Sequence, residues 1–211
     1  MGVHAFSLEI IMTEQPEGLL RVTSLLRWAG LTTSIPDTPA VRAALKRGTA
    51  VHEWSLLVED LHATNDQSVI HRMPSDLQGY GTAVAAFNER YQPHWDEREQ
   101  RKDDSAIGIT GCPDRVGVIQ GERVVVDFKT GHRYAWHRLQ LALYAILIER
   151  VGVTVDGVLD RDYKLDKRLG VYLSPDGSYS LNTYRKQQDI LEAWSIITKY
   201  RNEVTRHDDN Q

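Results

Sequence analysis

The chain has 211 residues, of which 26 % are charged and 41 % hydrophobic, and a formal net charge of −4. That length suffices for one domain with a substantial core, and the composition excludes a disordered chain. The acidic balance excludes general electrostatic coating of nucleic acid, so contact with DNA would need a local basic patch or a metal ion, and the single cysteine, Cys112, excludes an internal disulfide.

The opening MGVHAFSLEIIM lacks a basic leader, and its apolar run is too short for a signal peptide. No later stretch reaches the length of a membrane span, so a soluble protein of the reducing cytoplasm is expected. Residues 1–11 read either as an upstream translation start or as an added edge strand. RVTSLLRWAGL then predicts a short helix with Thr23 or Ser24 as N-cap and Gly30 at its end, followed by the proline-containing TSIPDTP loop.

The apolar spacing of Val41, Ala44, Leu45, Val51, Trp54, Leu57 and Val58 predicts helix, broken or offset near Gly48. A third helix is expected in DLQGYGTAVAAFNERY, capped by Ser75 or Asp76 and ended by Pro93. From Trp95 short strands take over in a meander: HWDEREQR, AIGITGCPDRVGVIQ and ERVVVDFKTG, the last two joined by a tight turn at QGE. A long apolar helix follows in RYAWHRLQLALYAILIERVG. Further strands lie in DGVLDRDYKL and in RLGVYLSPDGSYSLNTY, with Pro175-Asp176-Gly177 at a hairpin tip. QQDILEAWSIITKYRNEV predicts a closing amphipathic helix, and TRHDDNQ a frayed tail. The order implies an α/β (α+β) class with a central mixed sheet covered by helices. One domain is expected over 1–211: a helical part at about 19–92, a sheet-containing core at about 93–185 and a closing helix at about 186–204.

The stretch VVVDFKTG places Asp127 and Lys129 two residues apart, hence on one face at the end of an apolar strand. Such charges are costly there unless they pair, bind a cation or face water. Read alone, the pair is either a solvated hairpin end or part of a site. Asp114, in GCPDRVG, sits where Pro113 and the flanking glycines suggest a bend. If VGVIQ pairs back on ERVVV, Asp114 and Asp127 converge at one end, and a bound Mg²⁺ or Mn²⁺ would relieve their repulsion. His52 would add a nitrogen ligand that favours Mn²⁺, or is merely a solvated helical histidine. Gln140 and Tyr144 share a helical face, from which Gln140 would hold Lys129 or a phosphate oxygen and Tyr144 the nucleic-acid backbone, unless they are tolerated polar residues of an amphipathic helix.

In order and spacing RGTAVH, GCPDRVG, VVVDFKTG and QLALY resemble the motifs of RecB-like nucleases of the PD-(D/E)XK superfamily, from about Gly48 to Tyr144. The resemblance, closest to stand-alone phage exonucleases, implies a restriction-endonuclease-like core with a helical N-terminal elaboration. It implies a divalent metal, Mg²⁺ or Mn²⁺, held by His52, Asp114, Asp127 and the carbonyl of Phe128, and catalysis by Lys129 with Asp114, Asp127 and Gln140. Tyr144, Arg115, Arg133, His137 and Arg138 would contact the substrate. The iron–sulfur cluster of some relatives is not implied, since Cys112 stands alone. The implied activity is metal-dependent hydrolysis of DNA in recombination, repair or processing, by an exonuclease or else an endonuclease, with a homo-oligomer or a recombination partner protein as associates. A catalytically silent DNA-binding or assembly subunit of the same fold is the rival reading.

Overall fold

The computed structural model describes residues 18–32, 37–62 and 68–208. Residues 1–11 and the first four residues of the TSIPDTP loop, 33–36, lie outside them.

The strand VVV is apolar throughout because it is the centre of the sheet. Strand β6 (Glu122–Lys129) lies between β5 (Arg115–Ile119), antiparallel to it, and β9 (Lys167–Leu173), parallel to it. The five-stranded sheet has the order β10-β9-β6-β5-β2, with β2 at His94–Arg98 and β10 at Tyr179–Tyr184 on the edges. Parallel neighbours need a long crossover, supplied here by helix α5 (His137–Val151) and the β-hairpin β7–β8 (Val153–Val155 and Val158–Asp160).

Both faces of this mixed sheet are buried. Val125 and Val116 face α5, α1 (Val22–Trp28) and α6 (Gln187–Asp208), in a core with Leu143, Leu147 and Ile197. Val124, Val126 and Phe128 face the other way, into a core with Phe87 and Val84 of α4 (Gln78–Tyr91) and Val51 and Val58 of α2 (Pro39–His62). This alternation is the period of 2 expected of a strand. The short helix α3 (Ser68–Arg72) adds Val69 to the second core. A smaller sheet of order β1-β4-β3 (Leu20–Arg21, Ile109–Gly111, Lys102–Asp104) lies beside the first core.

The predicted QGE turn is present: Gln120 (φ 53°) and Gly121 (φ 81°) both adopt the left-handed backbone of a two-residue hairpin. The Pro175-Asp176-Gly177 hairpin tip also forms, between β9 and β10. Other details differ. Helix α2 runs unbroken through Gly48. The N-cap of α1 is Arg21, with extended backbone, because Leu20–Arg21 pairs with β4 and passes directly into the helix. The N-cap of α4 is Leu77, since a turn closed by the Leu77 N–H donating to the Pro74 carbonyl absorbs Ser75 and Asp76. The meander is interrupted: after β2 the chain leaves the main sheet for β3 and β4 and returns at Asp114. Helix α6 continues to Asp208, so most of the expected frayed tail is helical.

Candidate active site

The register of β6 explains its polar end. Its last pair with β5 is Val126 opposite Arg115, whereas pairing with β9 continues through Asp127, Phe128 and Lys129. Past the start of β5 the sheet is therefore open on one side. Asp114 fills that gap: its Oδ2 accepts a hydrogen bond from the Phe128 N–H at 2.6 Å. In an extended strand the N–H and C=O of one residue point to the same neighbour, so the Phe128 carbonyl is directed into the same gap.

Helix α2 brings His52 to this point, with Nδ1 3.3 Å from Asp114 Oδ1 and 3.4 Å from Glu99 Oε1. Ligand atoms of His52, Glu99 and Asp114 all lie within 4.8 Å of one another. Glu99 follows β2 with a left-handed backbone (φ 50°), fixed by its N–H donating to the Asp114 carbonyl at 2.9 Å. Sequence reasoning missed Glu99, because a third acid in HWDEREQR carries no spacing signal and the turn that aims it forms only when β2 and β5 pair.

Asp127 and Lys129 share the face of Val125, toward α5. Lys129 Nζ rests against Asp127 Oδ2 as an ion contact, and that buried oxygen has no directed hydrogen bond. Lys129 also donates to Gln140 Oε1 at 2.8 Å, and Gln140 Nε2 donates to the Tyr144 hydroxyl at 3.1 Å. The expectation that Gln140 holds Lys129 matches this arrangement.

Electrostatics set the state of each group. Burial raises the Asp127 carboxyl above its ordinary range, partly countered by Lys129 and reinforced by Asp114. Burial opposes charging His52, but the Asp114 and Glu99 carboxylates outweigh it and hold the imidazole well above its ordinary value. Three carboxylates of limited exposure thus converge with one imidazole, and one buried carboxylate oxygen, Asp127 Oδ2, has only the Lys129 ammonium against it. That donor set suits a hard divalent cation such as Mg²⁺ or Mn²⁺. The atoms that would hold it are on His52, Asp114 and Glu99, with Asp127 and the Phe128 carbonyl beside them. Asp127 itself stands outside the 4.8 Å cluster, turned to Lys129.

A cleft of about 510 Å³ opens over Lys129, lined on the α2 side by Leu45, Gly48 and His52 and on the other by the loop that follows β6. Of the expected substrate contacts, Arg133 is exposed near it, its guanidinium 4.8 Å from the Tyr172 ring centre. The other four have partners within the fold, and of them His137 also lines the cleft. Arg115 is wholly buried: its Nε donates to Glu59 Oε1 and Oε2, at 2.9 and 2.8 Å, and its other nitrogens to Ser55, Glu99 and the Asp114 carbonyl. No phosphate reaches it; it fixes the residues around Asp114 instead. His137 is buried against Tyr172, 2.9 Å from its hydroxyl, and burial and Lys129 lower its pKa to about 4, so it is neutral. Arg138 is committed to Asp189 and Glu192 of α6. Tyr144 is buried and supports Gln140.

The profile of the PD-(D/E)XK nuclease superfamily matches residues 24–169, and the chain belongs to that superfamily. It is therefore of a metal-dependent nuclease class. A solved structure described as that of SSO0001 is similar at 15 % identity and a TM-score of 0.32, over 84 % of this chain and 83 % of that one. No curated protein matches the sequence. Among the described residues no helix is long and apolar enough to cross a membrane.

Proposed function

We propose that this protein is a DNA exonuclease of RecB-like type that hydrolyses phosphodiester bonds with Mg²⁺ or Mn²⁺, in DNA recombination, repair or processing. The observation that carries the reading is the convergence of His52, Glu99 and Asp114 within 4.8 Å, beside Asp127 and a lysine steadied by Gln140. His52, Asp114, Asp127 and the Phe128 carbonyl are assigned to the metal, with Glu99 added to them. Held by these residues, a cation would supply Lewis-acid stabilisation of charge on the phosphate and would activate a water. Lys129 is the catalytic cation of the chain: with its ammonium held between Asp127 and Gln140 at the floor of the cleft, it orients the nucleophile or stabilises developing negative charge. Gln140, itself held by Tyr144, fixes where that ammonium points. Arg133 offers an exposed positive charge to a backbone phosphate.

The test is incubation of end-labelled linear DNA and closed circular DNA with Mg²⁺, Mn²⁺ or EDTA. Loss of linear substrate alone, abolished by EDTA, is the expected result; cutting of circles would make the protein an endonuclease. Absence of cutting under every condition would overturn the nuclease assignment for this chain.

A further inference from the structure

A second cavity lies away from the cleft, on the α5 face of the sheet. About 310 Å³ in volume, it sits between α5, the loop that leads into β9, the start of β9 and the first turns of α6. No residue lines both spaces. The pairing of Arg168 with Val125 sets the cavity four residues back along β6 from Lys129, about 13 Å at the rise of a strand.

The wall is rich in cations. Arg150, Lys164, Lys167, Arg168 and Arg185 line it, against two acids, Glu149 and Asp166. Both acids are occupied: Glu149 Oε1 accepts from the Leu165 N–H at 3.2 Å with Oε2 3.7 Å from Lys164, and Asp166 Oδ2 accepts from the Arg123 N–H at 2.8 Å. Carboxylates that partner the other cations stand outside the wall. Asp104 holds Arg150 at 2.5 Å, and Glu122 is shared between Lys167 and Arg185, at 2.6 Å from each. One carboxylate between two cations leaves positive charge over.

Arg168 points most directly to a ligand. Its side chain is only 8 % exposed, and its Nη2 donates to the Lys186 carbonyl at 3.0 Å and to Asp189 Oδ2 at 3.3 Å. Its buried Nε–H meets no acceptor among the described residues. Burial works against the charge of this arginine more than Asp189 supports it. An orphaned donor of this kind is explained by an ion or an ordered water beside it, and the cationic wall selects an anion. Helix α6 opens in the same wall at Gln187, where the positive end of a helix favours negative charge. Asp189, the acid of that turn, is already held by Arg138 and Arg168. Ile146, Ile190 and Trp194 add an apolar side that suits the organic part of an ester.

We infer that this cavity binds a small phosphate-bearing anion, free phosphate or a mononucleotide, through Arg168, Lys164, Lys167 and Arg185. The mixture of cations suits that chemistry, since a guanidinium fork matches phosphate oxygens and an ammonium supplies a point charge. The inference is independent of the nuclease reading, because no group of the cleft takes part.

The test is calorimetric titration of the full chain in EDTA with inorganic phosphate, a deoxynucleoside 5′-monophosphate and the same nucleoside without phosphate. Both phosphates should bind and the nucleoside should not; tighter binding of the mononucleotide would identify it as the ligand, and equal affinity would identify free phosphate. Arg168→Lys and Arg185→Ala, each checked for an intact thermal transition, should lose about tenfold, the effect of one hydrogen bond to a charged group. Lys129→Ala should bind as the wild type does. Arg185 is exposed, so its variant carries the test if the buried Arg168 does not tolerate replacement. Absence of phosphate binding, or its loss in Lys129→Ala with full affinity in Arg185→Ala, would overturn the inference. Displacement of the anion by a short DNA strand, persisting in Lys129→Ala, would also overturn it and make the cavity a contact for nucleic-acid backbone.

Discussion

Arg115 joins what the sequence keeps far apart. Its guanidinium bridges Glu59 and Ser55 of α2, Glu99 after β2 and the Asp114 carbonyl, with the Phe128 ring 5.4 Å away. Glu59 is itself pushed up by burial and held down by this arginine. Removing the cation leaves the buried Glu59 carboxylate only the longer contact to Arg98, at 3.8 Å, and breaking a buried pair in this way costs about 3–5 kcal/mol. Arg115→Met should lower the urea unfolding free energy by that order, whereas an exposed phosphate-binding arginine would leave it unchanged. His137 makes a pH-dependent contribution of opposite character to the usual paired histidine. Its folded pKa of about 4 lies below the ordinary 6.5. Above about pH 6.5 both states are neutral and its contribution is complete; as the pH falls toward 4 the unfolded chain takes up a proton that the folded chain refuses, and stability is lost. Relative to His137→Gln, the wild type should lose about 2–3 kcal/mol between those limits, measured as urea midpoints across the range. Parallel curves would show that His137 protonates freely in the fold.

Two helical glycines separate function from packing. Gly48 in α2 faces the cleft, and a Cβ there would meet only Thr130 Oγ1, at 3.7 Å. An alanine fits, and relieves up to about 1 kcal/mol of helix cost. Gly48→Ala should raise the melting temperature while narrowing the cleft and slowing cleavage; a gain in both would mean that the open wall has no use. Gly79 in α4 is the contrary case, since a Cβ would fall 1.7 Å from the Pro175 carbonyl oxygen at the β9–β10 hairpin. Backbone would have to move, so Gly79→Ala should destabilise by about 1–3 kcal/mol or more. The sequence marked Gly48 as a helix break because propensity counts only the local cost. In the fold, packing of Val51 and Val58 against the sheet outweighs it.

Over the whole molecule, what sequence alone made legible follows the physics of each element. Period-2 and period-3.6 patterns placed the sheet strands and the long helices, since burial of one face is written in neighbouring residues. The end of β6 was legible too, because acid and lysine two apart share a face whatever the tertiary fold. The partners of Arg115, His137 and Arg138 were not legible, since Arg115 pairs with Glu59, the neutral His137 meets the Tyr172 hydroxyl and Arg138 pairs with α6, none of them adjacent in sequence. Glu99 escaped for the same reason: its place depends on a left-handed residue and on β2 pairing with β5. The account therefore stands or falls on whether these separately delivered groups act together. Calorimetric titration of Mn²⁺ into the wild type and Asp114→Ala, both checked for an intact thermal transition, asks this most directly. The account predicts binding by the wild type and its loss in the variant. Equal Mn²⁺ affinity in the two proteins would contradict it.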